Sequence, residues 1–325
     1  MMETAVCRLC PFNCEIPENE TGKCKVRGNV GGQVVLLTYG KVTTMVEGPI
    51  EQKPLYHFYP GMKVLSIGSS GCNMFCSYCQ NFEISQTGSA PSQIVSPQEV
   101  VDKALSLGCG GIAFTYSEPF VWYEYVMNVA VAAKKQGLKT ILKTNGYGEE
   151  KAFSEMLDWM DAVNIDIKGS ARLYKEVAGI ELDRDPRKWI IMRNLKEASK
   201  KCHIEISTIV IPPYWDDELD AILLACACQS FSRPDTPIHI LKFIPDFKLR
   251  DTSAPTTEKL QRVAQIFGAY FKHVYIDYAG LPAITTCQCG EVLVERNGLA
   301  PVKNNLLRGK RCPKCGEIHN FEANP

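Results

Sequence analysis

The chain reads as an α/β protein built around a partial parallel (β/α)6 barrel, with a small cysteine-rich metal-binding module at either end. Three observations predict this. From residue 62 onward, short apolar runs alternate six times with stretches of helical length, the pattern of a parallel sheet with helices on its outside. Polar residues gather directly after those runs, where parallel barrels carry their chemistry. Eleven of the fifteen cysteines fall into three groups at metal-ligand spacing, which fits a reducing compartment better than a disulfide framework.

The N-terminal part, 1–52, carries Cys7, Cys10, Cys14 and Cys24, with Pro11 and Gly22 as turn-formers. Four thiols so close in sequence read as a small metal knuckle. Zinc and a second iron–sulfur cluster both satisfy the ligand count, and four free thiols are the alternative. Residues 33–46 alternate well enough to predict a hairpin, and 53–61 a rigid connector in which His57 is a packing or hydrogen-bonding residue.

The barrel is expected over 53–280. Its strands are placed at 64–67, 111–115, 139–143, 162–166, 204–211 and 238–243, with a last one at 273–277. Helices are placed at 97–107, 121–136, 149–159, 186–201, 216–228 and 256–270. Ser96 before Pro97 with Glu99 three residues on, and Asp185 before Pro186, are helix-start signals. Cys226 and Cys228 lie on one such helix two residues apart, on different faces, and are assigned to packing rather than to a metal.

Directly after the first apolar run comes Cys72-x3-Cys76-x2-Cys79. Thiolates suit iron–sulfur clusters, and a cubane has four irons. Three cysteines leave one iron open, able to bind and activate a small molecule. Gly71 allows close approach of the backbone, and Tyr78 is placed to stack on a flat group bound there. A zinc knuckle borrowing a fourth ligand is the alternative. The later strand ends add Ser117 and Glu118, then Lys143-Thr144-Asn145-Gly146, then Asp166 and Lys168. Glu205, Ser207, His239 and Lys242 lie on the fifth and sixth strands and are expected to join them.

The last part, 281–325, holds Cys287-Gln288-Cys289 and Cys312-Pro313-Lys314-Cys315. The second pair is a zinc-ribbon knuckle. The first is one residue short of the usual spacing, so the expectation is a ribbon with a tightened knuckle, with His319 as a substitute ligand or with metal binding lost.

Composition narrows the rest. The 36 basic and 36 acidic residues cancel, leaving no global field for nucleic acid or an anionic membrane. No N-terminal stretch has the form of a leader, and no run of 18 apolar residues appears, so a soluble cytoplasmic protein is expected. A binding module stabilised by metals is the non-enzymatic alternative.

The cysteine loop resembles the signature of the radical S-adenosylmethionine (SAM) superfamily. That resemblance implies a partial barrel of radical SAM type, a [4Fe-4S] cluster on Cys72, Cys76 and Cys79, and SAM chelated at the open iron and cleaved to a 5′-deoxyadenosyl radical that abstracts hydrogen. The stretch from Lys53 to Tyr278 is similar to glycyl-radical-activating enzymes such as the pyruvate formate-lyase activators. By that likeness Tyr78 lies against adenine, Ser117 and Glu118 hold the SAM amino group, and Thr144-Asn145-Gly146 and Asp166-Ile167-Lys168 approach the rest of the cofactor. Lys143 stands where those activators have an aspartate that helps bind a cation, so its ammonium is expected to replace the ion and pair with Asp166 or the cofactor carboxylate. The terminal cysteine modules, with Lys53-Pro54-Leu55-Tyr56-His57-Phe58, look like the AmmeMemoRadiSam group. The resemblance also implies an electron donor such as a flavodoxin or ferredoxin, and a protein substrate if the chain is an activase.

Overall fold

The computed structural model describes residues 4–215, 217–298, 300–306 and 310–322. Eight strands form one sheet in strict chain order. They are β1 (Thr44–Pro49), β2 (Lys63–Gly68), β3 (Gly111–Phe114), β4 (Lys139–Thr144), β5 (Ala162–Asp166), β6 (His203–Val210), β7 (Ile238–Lys242) and β8 (Val274–Asp277). All neighbours from β2 to β8 are parallel, and β1 is antiparallel to β2. Six helices make the crossovers: α1 (Pro97–Ser106), α2 (Tyr123–Lys135), α3 (Glu150–Leu157), α4 (Ile190–Lys201), α5 (Glu218–Phe231) and α6 (Thr257–Gly268). The expected six-unit α/β barrel is present, with the seventh parallel strand closing the count.

Side-chain alternation along each strand sorts the core into two zones. Leu65, Ile67, Ile112, Phe114, Leu142, Val163, Ile165, Ile206 and Ile240 pack outward under the helices. Val64, Ala113, Ile141 and Ala162 point inward, where Ile50, Leu55 and Phe58 fill the floor of the barrel. The position two residues further along each strand is polar, and those residues face the middle and mouth.

Helix starts follow local chemistry. Ser96 and Glu99 form the predicted capping box, with Glu99 N–H donating to Ser96 Oγ at 3.3 Å and Ser96 N–H to Glu99 Oε2 at 2.7 Å. The helix expected over 186–201 is interrupted. Asp185 caps a 3-10 turn at Pro186–Lys188, Trp189 is extended, and α4 begins after it. The buried Trp189 indole donates to Asp183 O at 2.7 Å, and that anchorage breaks the helix. Asp216, the expected start of the next helix, lies outside the described residues. The α5 cap is Asp217, which accepts from Leu219 N at 2.8 Å. Cys228 is buried on α5 and Cys226 exposed, so only Cys228 has the packing role expected of both.

Residues 33–46 do not pair with one another. Gln33–Leu36 pairs back with Arg27–Val30 through the Gly31-Gly32 turn, both glycines at positive φ. Lys41–Val42 pairs with Gln93–Ile94, and β1 joins the barrel sheet. Alternation marked the strands but could not choose their partners.

Glu205 and His239, expected near the mouth, sit inside the barrel beneath it. Glu205 is fully buried and accepts from His57 N–H at 2.7 Å, Tyr56 N–H at 3.0 Å and His203 Nε2 at 3.0 Å; it also meets His239 Nε2 at 2.8 Å. His239 Nδ1 lies 2.8 Å from Asp277, which also accepts the Tyr56 hydroxyl at 2.6 Å. His57 Nδ1 meets Asn320 O at 2.9 Å and Nε2 meets the Tyr275 hydroxyl at 2.7 Å, while its ring stacks on Phe321 at 4.0 Å. These bonds seat the connector 53–61 against the barrel and tie the C-terminal module beneath it. Arg296 completes the tie, donating to Tyr56 O and to Thr285 at 3.1 Å.

Burial alone would depress His239, but Asp277 and then Glu205 hold it up at about 9. A folded-state value above the ordinary 6.5 means that the stabilisation is complete below that value and is lost as pH rises through about 9. Thermal denaturation is expected to show an alkaline loss of stability centred there. His239→Gln should abolish that limb and cost about 3–5 kcal/mol at neutral pH, because it leaves buried carboxylates unpaired.

Candidate active site and metal centres

The C-terminal ends of the parallel strands surround a cavity of about 390 Å³, within the usual range of ~300–1,000 Å³ for small-molecule sites. The loop after β2 supplies Cys72, Cys76, Tyr78 and Cys79 to its wall. Gly71, at φ +89°, makes the loop possible: a Cβ there would meet Val26 at 2.5 Å and Cys24 O at 2.7 Å. Cys72 and Cys76 are pushed up by burial, so as thiolates they call for a bound cation. Donors already point at the sulfurs. Met74 N–H lies 3.3 Å and Asn145 Nδ2 3.8 Å from Cys72 Sγ, and the Ser85 hydroxyl lies 3.1 Å from Cys79 Sγ.

The opposite wall comes from the ends of β3 to β5. Ser117 lines the cavity. Glu118 does too, but its carboxylate mainly binds the protein itself. Oε1 accepts from Phe120 N–H at 3.0 Å and Thr144 Oγ1 at 2.7 Å, and Oε2 accepts from Asn145 N–H at 2.8 Å. One of its four acceptor positions stays open. Asn145 donates to Asn73 Oδ1 at 2.8 Å and accepts from Tyr147 N–H at 2.9 Å. Gly146 turns the chain at φ +68° and donates to Thr144 Oγ1 at 3.1 Å. The Thr-Asn-Gly loop is thereby locked onto the cysteine loop.

Deeper in the wall, Lys143 Nζ lies 2.5 Å from Asp166 Oδ1 and 2.7 Å from Asn164 Oδ1. Lys168 Nζ stands 3.7 Å from Asp166 Oδ2 and 5.9 Å over the Tyr78 ring. Burial would raise Asp166, but Lys143 and Lys168 hold it below the usual carboxylate range. Lys143 thus pairs with Asp166, one of the two partners expected for it. Of the strand residues expected at the mouth, Lys242 lines the cavity, whereas Ser207 donates to Asn164 Oδ1 at 2.9 Å beneath it.

Lys53 was not foreseen as a site residue. It is 5% exposed, lines the cavity with its ammonium 5.0 Å from the Tyr116 ring, and is lowered to about 8 by burial and by the charge of Lys143. Its place just before β2 reads as a connector in sequence, and only the fold turns it toward the mouth.

Beyond the barrel, Ala283–Thr286, Val292–Asn297 and Ala300–Asn304 form a three-stranded antiparallel sheet. The four thiols beside it, Cys287, Cys289, Cys312 and Cys315, all lie within 4.8 Å of one another, with contacts of 3.5 and 3.6 Å across the set. The shortened first knuckle therefore still completes a four-thiol site without His319. His319 instead shares a neighbouring group with Cys287 and Glu317. Of the N-terminal set Cys7, Cys10, Cys14 and Cys24, Cys24 abuts the cysteine loop, its carbonyl oxygen 2.7 Å from where a Gly71 Cβ would stand.

The radical SAM superfamily model matches residues 66–226. The chain is 35% identical over 321 residues to the uncharacterised protein MJ0808 of Methanocaldococcus jannaschii, covering 96% of this chain and 93% of that one. It is 24% identical over 234 residues to the pyruvate formate-lyase 1-activating enzyme of Escherichia coli, covering 65% and 90%. A radical SAM methyltransferase from Sphaerobacter thermophilus shares the fold, with a TM-score of 0.51 over 67% of each chain at 15% identity. The chain belongs to the radical SAM superfamily, and is on that ground an enzyme whose family implies a [4Fe-4S] cluster and SAM. The donor set fits both: soft thiols with N–H and O–H donors at the sulfurs suit the cluster, and ammoniums facing a cavity of ligand size suit a carboxylate-bearing cofactor. Among the described residues no helix is long and apolar enough to cross a membrane.

Glu118 ties the two loops together, so Glu118→Ala strands three buried donors at about 1–3 kcal/mol each. Urea denaturation is expected to show a loss of about 3 kcal/mol or more, with Glu118→Gln, which keeps one carbonyl oxygen, losing less.

Proposed function

We propose that this enzyme binds a [4Fe-4S] cluster through Cys72, Cys76 and Cys79 and uses SAM to abstract hydrogen from a substrate held in the same cavity. The observation that carries this reading is the three-thiol loop facing Glu118, Thr144-Asn145-Gly146 and the Lys143–Asp166–Lys168 group across one enclosed space. When bound, the cluster and SAM supply a one-electron cleavage that yields methionine and a 5′-deoxyadenosyl radical.

The chain's own residues do the positioning. Glu118 has one acceptor position left for an ammonium donor, beside Ser117. Lys168 and Lys53 offer ammoniums to a carboxylate. Lys143 is committed to Asp166, which leaves this wall charge-balanced without an added cation. Tyr78 presents a ring face for an adenine, and the apolar floor of Ile50, Leu55 and Phe58 closes the barrel against water from below. An external one-electron donor of the flavodoxin or ferredoxin class is required. The C-terminal thiols are proposed to hold zinc, since their mutual spacing suits one tetrahedral ion.

A second reading is that the hydrogen comes from a glycine of a partner protein. It is favoured by the likeness to the E. coli activating enzyme and to a putative glycyl-radical enzyme activating enzyme of M. jannaschii, 26% identical over 228 residues.

Anaerobically reconstituted, chemically reduced protein given SAM is expected to form 5′-deoxyadenosine, and Cys76→Ala to form none. Absence of product from protein with an intact central cluster and bound SAM would overturn the reading. Lys143→Ala leaves the buried Asp166 short of its nearest cation, and is expected to weaken SAM binding at least tenfold by equilibrium dialysis. Potassium should not stimulate the wild type.

A further inference from the structure

The three cysteine sets differ in how tightly their sulfurs gather. Among the described residues, only the C-terminal set has all its sulfurs within 4.8 Å of one another, as four ligands of one tetrahedral ion with metal–sulfur bonds of about 2.3 Å require. The central trio, where the family implies a cluster, is more open: its three sulfurs do not fit inside that limit. Thiolates on separate irons of a cubane must stand apart in this way. The N-terminal set, Cys7, Cys10, Cys14 and Cys24, is likewise open, since no three of its sulfurs fall within 4.8 Å of one another.

The backbone nevertheless gathers these thiols: Cys7 N–H donates to Cys14 O at 2.9 Å, and the Gly22 turn that leads to Cys24 lies against Cys14, where a Cβ would meet Sγ at 3.3 Å. Their surroundings suit negative sulfur: Lys23 N–H donates to Cys14 Sγ at 3.5 Å, Phe12 N–H serves Cys10, and Val26 and Arg27 N–H serve Cys24. Arg27 supplies an independent sign of a missing group. It is 7% exposed and grips Glu124 through both terminal nitrogens at 2.8 and 2.7 Å. Its Nε is buried without a partner, on a guanidinium whose charge acts on Cys7 and Cys24. A buried N–H left unpaired costs about 1–3 kcal/mol, and a cluster sulfur is an acceptor that would relieve it.

We propose that Cys7, Cys10, Cys14 and Cys24 hold a second [4Fe-4S] cluster rather than zinc, seated directly against the loop that carries the first. The two sites share a wall. Cys24 O and Val26 fill the space where a Gly71 side chain would stand, and the Phe12 ring lies 6.3 Å from Phe75 of the central loop and 5.8 Å from Tyr147. Four protein thiolates leave no iron open, so this site holds an electron and does not bind substrate.

The test is metal content and electron paramagnetic resonance of the full-length chain after anaerobic reconstitution with iron, sulfide and zinc. The wild type should hold about eight irons per chain, four for each cubane. The Cys72→Ala/Cys76→Ala/Cys79→Ala variant should keep about four, with a reduced-cluster signal. Because that variant leaves the N-terminal thiols intact, it reads their metal even if Cys10→Ala/Cys24→Ala fails to fold. Zinc in place of those four irons, two irons there, or no metal at all would overturn the proposal. The outcome is separate from the proposed activity, since 5′-deoxyadenosine formation reports the central cluster and the triple variant reports only the N-terminal set.

Discussion

The buried carboxylate of Glu205 fixes the position of nearly everything above it. An ionised carboxylate inside a barrel is tolerable only if its lone pairs are filled. Here they are filled by two backbone N–H groups of the connector, Tyr56 and His57, and by two imidazoles, His203 and His239. The hydrogen bonds to His203 and His239 outweigh burial and hold Glu205 well below the usual carboxylate range. The connector is therefore not free to move against β6 and β7. Because it leads directly into β2, its seating sets the height at which the cysteine loop emerges.

Sequence order explains why this works with so few residues. With the strands laid side by side in chain order, the inward side chains sort into tiers by their surroundings: Val64, Ala113, Ile141 and Ala162 in the apolar floor, Asn164, Glu205 and His239 fully buried above it, Lys143 and Asp166 lining the cavity. The lowest tier excludes water, and the middle one spends buried polarity on rigidity. Only the top tier, with the loops beyond it, meets the cavity.

The strands, the crossover helices and the cysteine loop could be read from the sequence because each follows from a local pattern: period two, helical length with caps, and ligand spacing. What escaped depended on partners distant in sequence. Residues 33–46 alternate as strands do, yet their partners lie at 27–30, 66–68 and 93–94. Glu205 and His239 carry the residue types of an active site, but both are fully buried beneath the cavity, two residues short of Ser207 and Leu241 on their strands. Lys53 is the converse case, a connector residue that the Glu205 anchor places at the mouth.

The charges around the cavity show what such an arrangement favours. Four lysines, Lys53, Lys143, Lys168 and Lys242, line the cavity with two carboxylates, Glu118 and Asp166. Lys143 and Asp166 neutralise each other at contact distance, and Glu118 spends three of its four acceptor positions on the protein's own donors. What remains is one acceptor on the β3 side, and Lys168, Lys53 and Lys242 elsewhere on the wall. A zwitterionic amino-acid group matches that polarity, with its ammonium toward Glu118 and its carboxylate toward a lysine. Reversing it would set like charges together in a low-dielectric site, where the penalty is several-fold greater than in water. The burial of Lys53 adds a preference of its own: lowered to about 8 by desolvation and by Lys143, its ammonium would be stabilised by an anion bound beside it, so the cavity favours a ligand that brings negative charge to that wall.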